Sequence, residues 1–147
     1  MIRVALADDQ ALIRAGFHVL IDAADDMTVI GEASDGAALV TLLHTTPADV
    51  VLMDIRMPGI DGLEATRQIA ADDLLRDVRV IVLTTFEIDD YVIEAVRAGA
   101  SGFIGKGVEP TQLLDAIRVV HSGEALLSPK ATVALLTRFA AGPSKPQ

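Results

Sequence analysis

Five short apolar runs recur along the chain, and each is followed by a stretch whose apolar residues repeat at helical spacing. Strands that alternate with helices pack as a parallel sheet covered on both faces, because parallel neighbours need a crossover and a helix makes it compactly. The predicted strands are residues 2 to 7 (IRVALA), 27 to 33, 49 to 54 (DVVLMD), 78 to 84 (VRVIVLT) and 101 to 104. Between them lie the stripes Ile13, Phe17, Leu20 and Ile21, then Leu39, Leu42 and Leu43, then Ile88, Val92, Ala95 and Val96, each read as the buried face of a helix. Pro110 suits a first helical position, and Gly99 and Gly123 stand where a last turn needs a left-handed cap. The runs starting at Val4, Val50 and Val80 are almost continuously apolar, as central strands are, whereas TVIGEA and SGFI are diluted. The second and fifth strands are therefore expected at the edges. This gives the order 2-1-3-4-5, with a crevice at the carboxyl ends of strands one and three.

At 147 residues the chain has the length of one domain with one core. It has no cysteine, so disulfide and thiolate chemistry are excluded, and no signal peptide or long apolar span is visible. A soluble, cytoplasmic protein is expected, with no membrane association. The net charge of -9 repels phosphate backbones and anionic bilayers, so proteins are the expected partners and DNA binding by this chain alone is not.

The polar residues at the strand ends are the chemically informative ones. Asp8 and Asp9 follow the first strand, Asp54 ends the third, Thr84 ends the fourth and Lys106 follows the fifth. In a parallel sheet all of these lie on one edge. Carboxylates gathered there repel one another, by roughly 4 kcal/mol per pair at 4 Å with an effective dielectric near 20, so a positive charge must compensate. A hard cation held by two carboxylates, Mg²⁺ or Mn²⁺, suits such a site and leaves room for phosphate oxygens. Asp54 is then placed to act as a carboxylate nucleophile forming an aspartyl phosphate, with Lys106 and the Thr84 hydroxyl beside the transferring group. Taken singly, each residue has an ordinary reading: helix cap, loop acid, strand threonine, surface lysine. Their joint placement at successive strand ends favours the functional one.

The segments VALADDQ, DVVLMDIRMPGIDG, VIVLTTF and GASGFIGKG, in this order and spacing, resemble the receiver domain of two-component response regulators over residues 1 to 123. The resemblance implies a single doubly wound α/β domain of the flavodoxin-like, CheY-like kind. It further implies Mg²⁺ bound by Asp9, Asp54 and the backbone carbonyl of Arg56, with Asp8 acting through water. Asp54 would take its phosphoryl group from a cognate histidine kinase. The domain would catalyse only its own phosphorylation and dephosphorylation, and is not otherwise an enzyme. Thr84 and Phe103 correspond to the family's switch pair, and Arg56 and Phe86 to positions that tune dephosphorylation. The alternative is a stand-alone or non-phosphorylated receiver serving as an interaction module.

The stretch GEALLSPKATVALLTRF resembles the start of the linker in NarL-type transcription factors. Residues 124 to 147 are accordingly expected to form an extra C-terminal helix and the beginning of a linker to a helix-turn-helix domain that this sequence does not include, so that the output is transcription. The apolar stripe Val133, Leu136 and Phe139 should pack on its own receiver, a second copy in a homodimer, or that effector domain. His18, His44 and His121 lie at no metal-ligand spacing and are assigned no role. No glycine-rich nucleotide loop occurs. An aspartyl-phosphate phosphatase would carry its acids two apart after the first strand, and a flavin module would need a Ser/Thr/Gly phosphate loop there; neither pattern is present.

Overall fold

The computed structural model describes residues 1–84, 89–123 and 126–127, the side chains of 89–92 and 126–127 excepted. The elements are β1 (Ile2–Ala7), α1 (Ala11–Asp22), β2 (Met27–Ala33), α2 (Gly36–Thr45), β3 (Val50–Asp54), α3 (Gly62–Ala71), a 3-10 turn (Asp73–Leu75), β4 (Arg79–Thr84), α4 (Asp89–Ala98), β5 (Gly102–Gly105), α5 (Pro110–His121) and β6 (Leu126–Leu127). Among the described residues all the strand pairs are parallel, in the order β2-β1-β3-β4-β5-β6. The expected 2-1-3-4-5 sheet is therefore present. The fifth strand is not its edge, because β6 pairs with it, Gly102 to Leu126 and Phe103 to Leu127.

Strand periodicity divides the core in two. Val4, Leu6, Val50, Leu52, Ile81, Leu83 and Ile104 pack with Ile21 of α1 and with Leu113, Ile117 and Val120 of α5. Ala5, Ala7, Val51, Met53, Val80, Val82 and Phe103 face the other way, onto Leu39 and Leu43 of α2, Leu63 and Ile69 of α3 and Ala95 of α4. The near-continuous apolar runs of β1, β3 and β4 thus serve both layers, which is why they lack polar alternation.

Helix starts follow local chemistry. Asp35 and Asp61 accept from the backbone N–H of Ala38 and Glu64 at 2.7 and 2.8 Å, capping α2 and α3. Pro110 opens α5, where the Gln112 side chain accepts from the Glu109 N–H at 3.2 Å. Gly99 and Gly123 follow α4 and α5 at φ 105° and 100°, the left-handed caps expected of them.

Two stripes depart from expectation. On α4, among the described side chains, Ile93, Ala95 and Ala98 are buried while Val96 is 41% exposed, so Ala95 faces inward as expected and Val96 does not. On α1 only Ile21 is buried; Ile13, Phe17 and Leu20 are half-covered and line, with Leu12, Val108 and Leu113, an open groove of about 350 Å³ between α1 and the start of α5. Ile88, Phe86 and the helix expected over 128–141 lie outside the described residues.

Candidate functional site

The acidic crevice is a continuation of strand parity. Val4 and Leu6 are followed two residues later by Asp8, Val50 and Leu52 by Asp54, and Ile104 by Lys106. All three therefore emerge from the α1/α5 side of the sheet just where β1, β3 and β5 end. Asp8 and Asp54 are only 3% and 7% exposed, whereas Asp9, one residue on, is open to water.

Lys106 joins the two buried acids: its Nζ lies 2.8 Å from Asp8 Oδ2 and 3.3 Å from Asp54 Oδ2. The contact with Asp8 is an ion pair off the hydrogen-bonding direction, so Asp8 Oδ2 is buried without a well-aligned donor. The remaining groups of Asp8 are anchored. Its N–H donates to the Ala33 carbonyl at 3.1 Å, its Oδ1 accepts from the Gln10 N–H at 2.9 Å, and its carbonyl accepts from Arg14. The Lys106 loop is tied to β4 through its backbone N–H, which donates to the Thr84 carbonyl at 2.7 Å.

These surroundings set the charge states. Burial pushes the Asp54 carboxyl above the ordinary aspartate range and the field of Asp8 pushes it further, against the pull of Lys106 and of the Arg56 backbone N–H. Burial draws the Lys106 ammonium down, but its bond to Asp8 and the field of Asp54 outweigh that and hold it above the ordinary lysine value. Lys106 is therefore a fixed positive charge.

One carboxylate oxygen from each of Asp8, Asp9 and Asp54 can be chosen so that all lie within 4.8 Å of one another. Three hard oxygen donors, two on buried residues and one on a water-facing residue, fit a small divalent cation that keeps part of its hydration shell. Arg56, whose carbonyl is the expected third direct ligand beside Asp9 and Asp54, lies two residues beyond the end of β3 and is exposed.

Thr84 and Phe103 lie on the opposite parity. Val82 pairs with Phe103 and Thr84 with Gly105, so the two share the face that packs on α4. Thr84 is 7% exposed and Phe103 fully buried. The expected set Asp8, Asp9, Asp54 and Lys106 is thus brought together, with Thr84 at the adjoining strand end and Phe103 beneath it.

Two features escaped the sequence reading. Gly62, the last residue of the DVVLMDIRMPGIDG segment, is where α3 docks on the exit of β3, its N–H donating to the Ile55 carbonyl at 2.7 Å. His18, given no role, lies between Glu32 and Asp22, with Arg14 on the far oxygen of Glu32. The spacing of Asp22 and His18, four apart on one helix, is the one local signal of that cluster.

A family model described as "Response regulator receiver domain" matches residues 4–118. Among curated proteins the chain is 48% identical over 125 residues to the uncharacterized transcriptional regulatory protein YxjL of Bacillus subtilis, covering 85% of this chain and 56% of that protein. It is 43% identical over 139 residues to the transcriptional regulatory protein LiaR of the same organism, covering 95% and 65%. The chain thus spans less than two thirds of the length of these relatives. Among solved structures, a LuxR-family two-component response regulator from Aurantimonas superposes with a TM-score of 0.86 at 31% identity, covering 94% of this chain and 97% of that one. The response regulator domain of Thermotoga maritima CheB superposes with a TM-score of 0.76 at 33% identity, covering 83% and 97%. The parallel sheet, the acidic crevice and these matches agree: the chain belongs to the response-regulator receiver domain family.

Proposed function

We propose that this receiver accepts a phosphoryl group on Asp54 from a histidine kinase, in a reaction that requires Mg²⁺, and thereby controls an output in transcription. The observation that carries the reading is the buried Asp54 carboxylate, with one oxygen of each of Asp8 and Asp9 within 4.8 Å of its own and the Lys106 ammonium 3.3 Å away. An Asp54 carboxylate oxygen attacks phosphorus, the bond to the donor's leaving group breaks with its electron pair, and an acyl phosphate results. Asp9, Asp54 and the Arg56 carbonyl would hold the cation directly, and Asp8 through water. When bound, Mg²⁺ supplies charge neutralisation at the transferring oxygens. Lys106 supplies a second cation without a proton to lose, since its partners keep it charged.

The Thr84 hydroxyl then follows the new phosphoryl oxygens, and Phe103 repacks on the same face of the sheet beneath α4. Residues 1–123 act as the phosphoacceptor unit and 124–147 as the way out to an effector domain. The setting is the cytoplasm, where the kinase's phosphodonor half resides. Similarity to regulators of transcription such as LiaR supports the output. The test is intact mass after incubation with Mg²⁺ and a small acyl phosphate. Wild type should gain one phosphoryl group and D54N none while keeping its fold. Labelling of D54N at another residue contradicts the assignment.

A further inference from the structure

A chain of polar contacts leaves the crevice by the back of the acidic loop. The Arg14 guanidinium, 19% exposed, donates through Nη1 to the main-chain oxygen of Asp8, and its Nε lies 3.2 Å from Glu32 Oε1. The other Glu32 oxygen meets His18 Nδ1, and His18 Nε2 lies 2.9 Å from Asp22 Oδ2. Asp22 Oδ1 in turn accepts from the Val29 N–H at 2.9 Å. Arg14, His18 and Asp22 all belong to α1, Glu32 and Val29 to β2, so the helix is clamped to the strand and the clamp ends on one peptide carbonyl.

That carbonyl belongs to the peptide joining Asp8 to Asp9. The plane of a peptide is rigid, so fixing its oxygen sets the backbone direction at both residues. Asp8 has other anchors, in Ala33, Gln10 and Lys106. Asp9 stands in water, and its aim depends on the peptide behind it.

We propose that Arg14 is a positioning residue for the cation site, holding the Asp8–Asp9 peptide in ligating orientation, with Glu32 holding Arg14. This rests on the reading of the crevice as a Mg²⁺ site. The sign of the effect separates it from simple electrostatics. Arg14 is a cation bonded to the main chain of the acidic loop, so as a mere charge it opposes Mg²⁺, and its removal would tighten binding. As a clamp its removal weakens binding, by about 10–100-fold, the range typical of groups that orient metal ligands.

The test is calorimetric titration of the whole chain with Mg²⁺ alone, beside the Mg²⁺ dependence of Asp54 labelling. R14A is expected to bind Mg²⁺ about 10–100-fold more weakly. Its half-saturating Mg²⁺ for labelling should rise in step, while the saturated rate returns at high Mg²⁺, a split that loss of fold would not produce. R14K keeps the charge but has one nitrogen for two acceptors, so an intermediate loss is expected, and this variant decides the matter if R14A does not fold. E32A should weaken binding in the wild-type background and add nothing to R14A. Wild-type or tighter affinity in both Arg14 variants, or full additivity of E32A with R14A, overturns the inference. A wild-type chain that takes up no Mg²⁺ removes the functional reading itself and the inference with it.

Discussion

Gly62→Ala tests how closely the phosphoacceptor is gripped. A Cβ at residue 62 would lie 1.9 Å from the carbonyl oxygen of Asp54, 2.9 Å from its carbonyl carbon and 3.0 Å from the Cα of Ile55. All three are backbone atoms, so no side-chain rotation relieves the clash. Reaching an ordinary contact of about 3.4 Å requires α3 and the end of β3 to part by about 1.5 Å. That would break the bond from the Gly62 N–H to Ile55, 2.7 Å long, and displace Asp54 itself. Overpacking of this kind costs about 1–3 kcal/mol. An error of ~1 Å in a reacting group costs on the order of 100-fold in rate. G62A should therefore unfold at lower urea and accept phosphate from a small acyl phosphate about 100-fold more slowly, at saturating Mg²⁺. Gly16 provides the control: nothing lies within 4 Å of a Cβ there, and it sits inside α1, so G16A should be more stable by about 0.5–1 kcal/mol. A G62A chain with wild-type midpoint and rate would show that the close approach of α3 does not constrain Asp54.

D9A should weaken Mg²⁺ binding more than D8A, because Asp9 is the direct ligand in the proposed site while Asp8 is already engaged by Lys106 at 2.8 Å; equal affinities by titration contradict this. His18 has its pKa raised, first by its hydrogen bond to Glu32, with the fields of Asp22 and Glu32 adding to it against burial. The folded state then binds the His18 proton more tightly than the unfolded chain does, so the contribution is complete below about pH 6.5 and fades as pH rises through the folded value. The stability gap between wild type and H18Q in urea should accordingly be larger at pH 6 than at pH 9, and a constant gap refutes the coupling. The chain should not retard duplex DNA in a gel shift at low salt, given 21 acidic against 12 basic residues, and saturable retardation would refute that.

The sheet was legible because its central strands are almost purely apolar, and a buried parallel strand has few other readings. The site was legible for a related reason: Asp8, Asp54 and Lys106 each keep the parity of the strand before them, so the strand assignment also placed the chemistry. What escaped depends on register between elements. Glu32 reaches His18 and Arg14 only because β2 lies beside α1, with a shift in the β1–β2 pairing between Val4 and Ala5 that no local pattern announces. The turn of α4 that exposes Val96 and buries Ile93 is decided by what α4 packs on, since either face carries apolar residues. Residues Leu126 and Leu127 are too short a run to be read as a strand at all. The closeness of Gly62 to Asp54 is a property of two backbones meeting, and a glycine in a sequence does not say which neighbour it admits.

For the proposed switch, the pairing of Leu126 and Leu127 with β5 alters how a signal could leave the domain. Phe103 is partnered through the backbone on both sides, by Val82 of β4 and by Leu127. The short strand β6 is thus laced to the strand that carries the buried aromatic ring. In the proposed switch, a shift of that strand would be transmitted along the backbone pairing of the sheet rather than across a sliding side-chain interface. Output geometry then becomes a matter of leverage at the sheet margin, set by the two residue pairs that join β6 to β5.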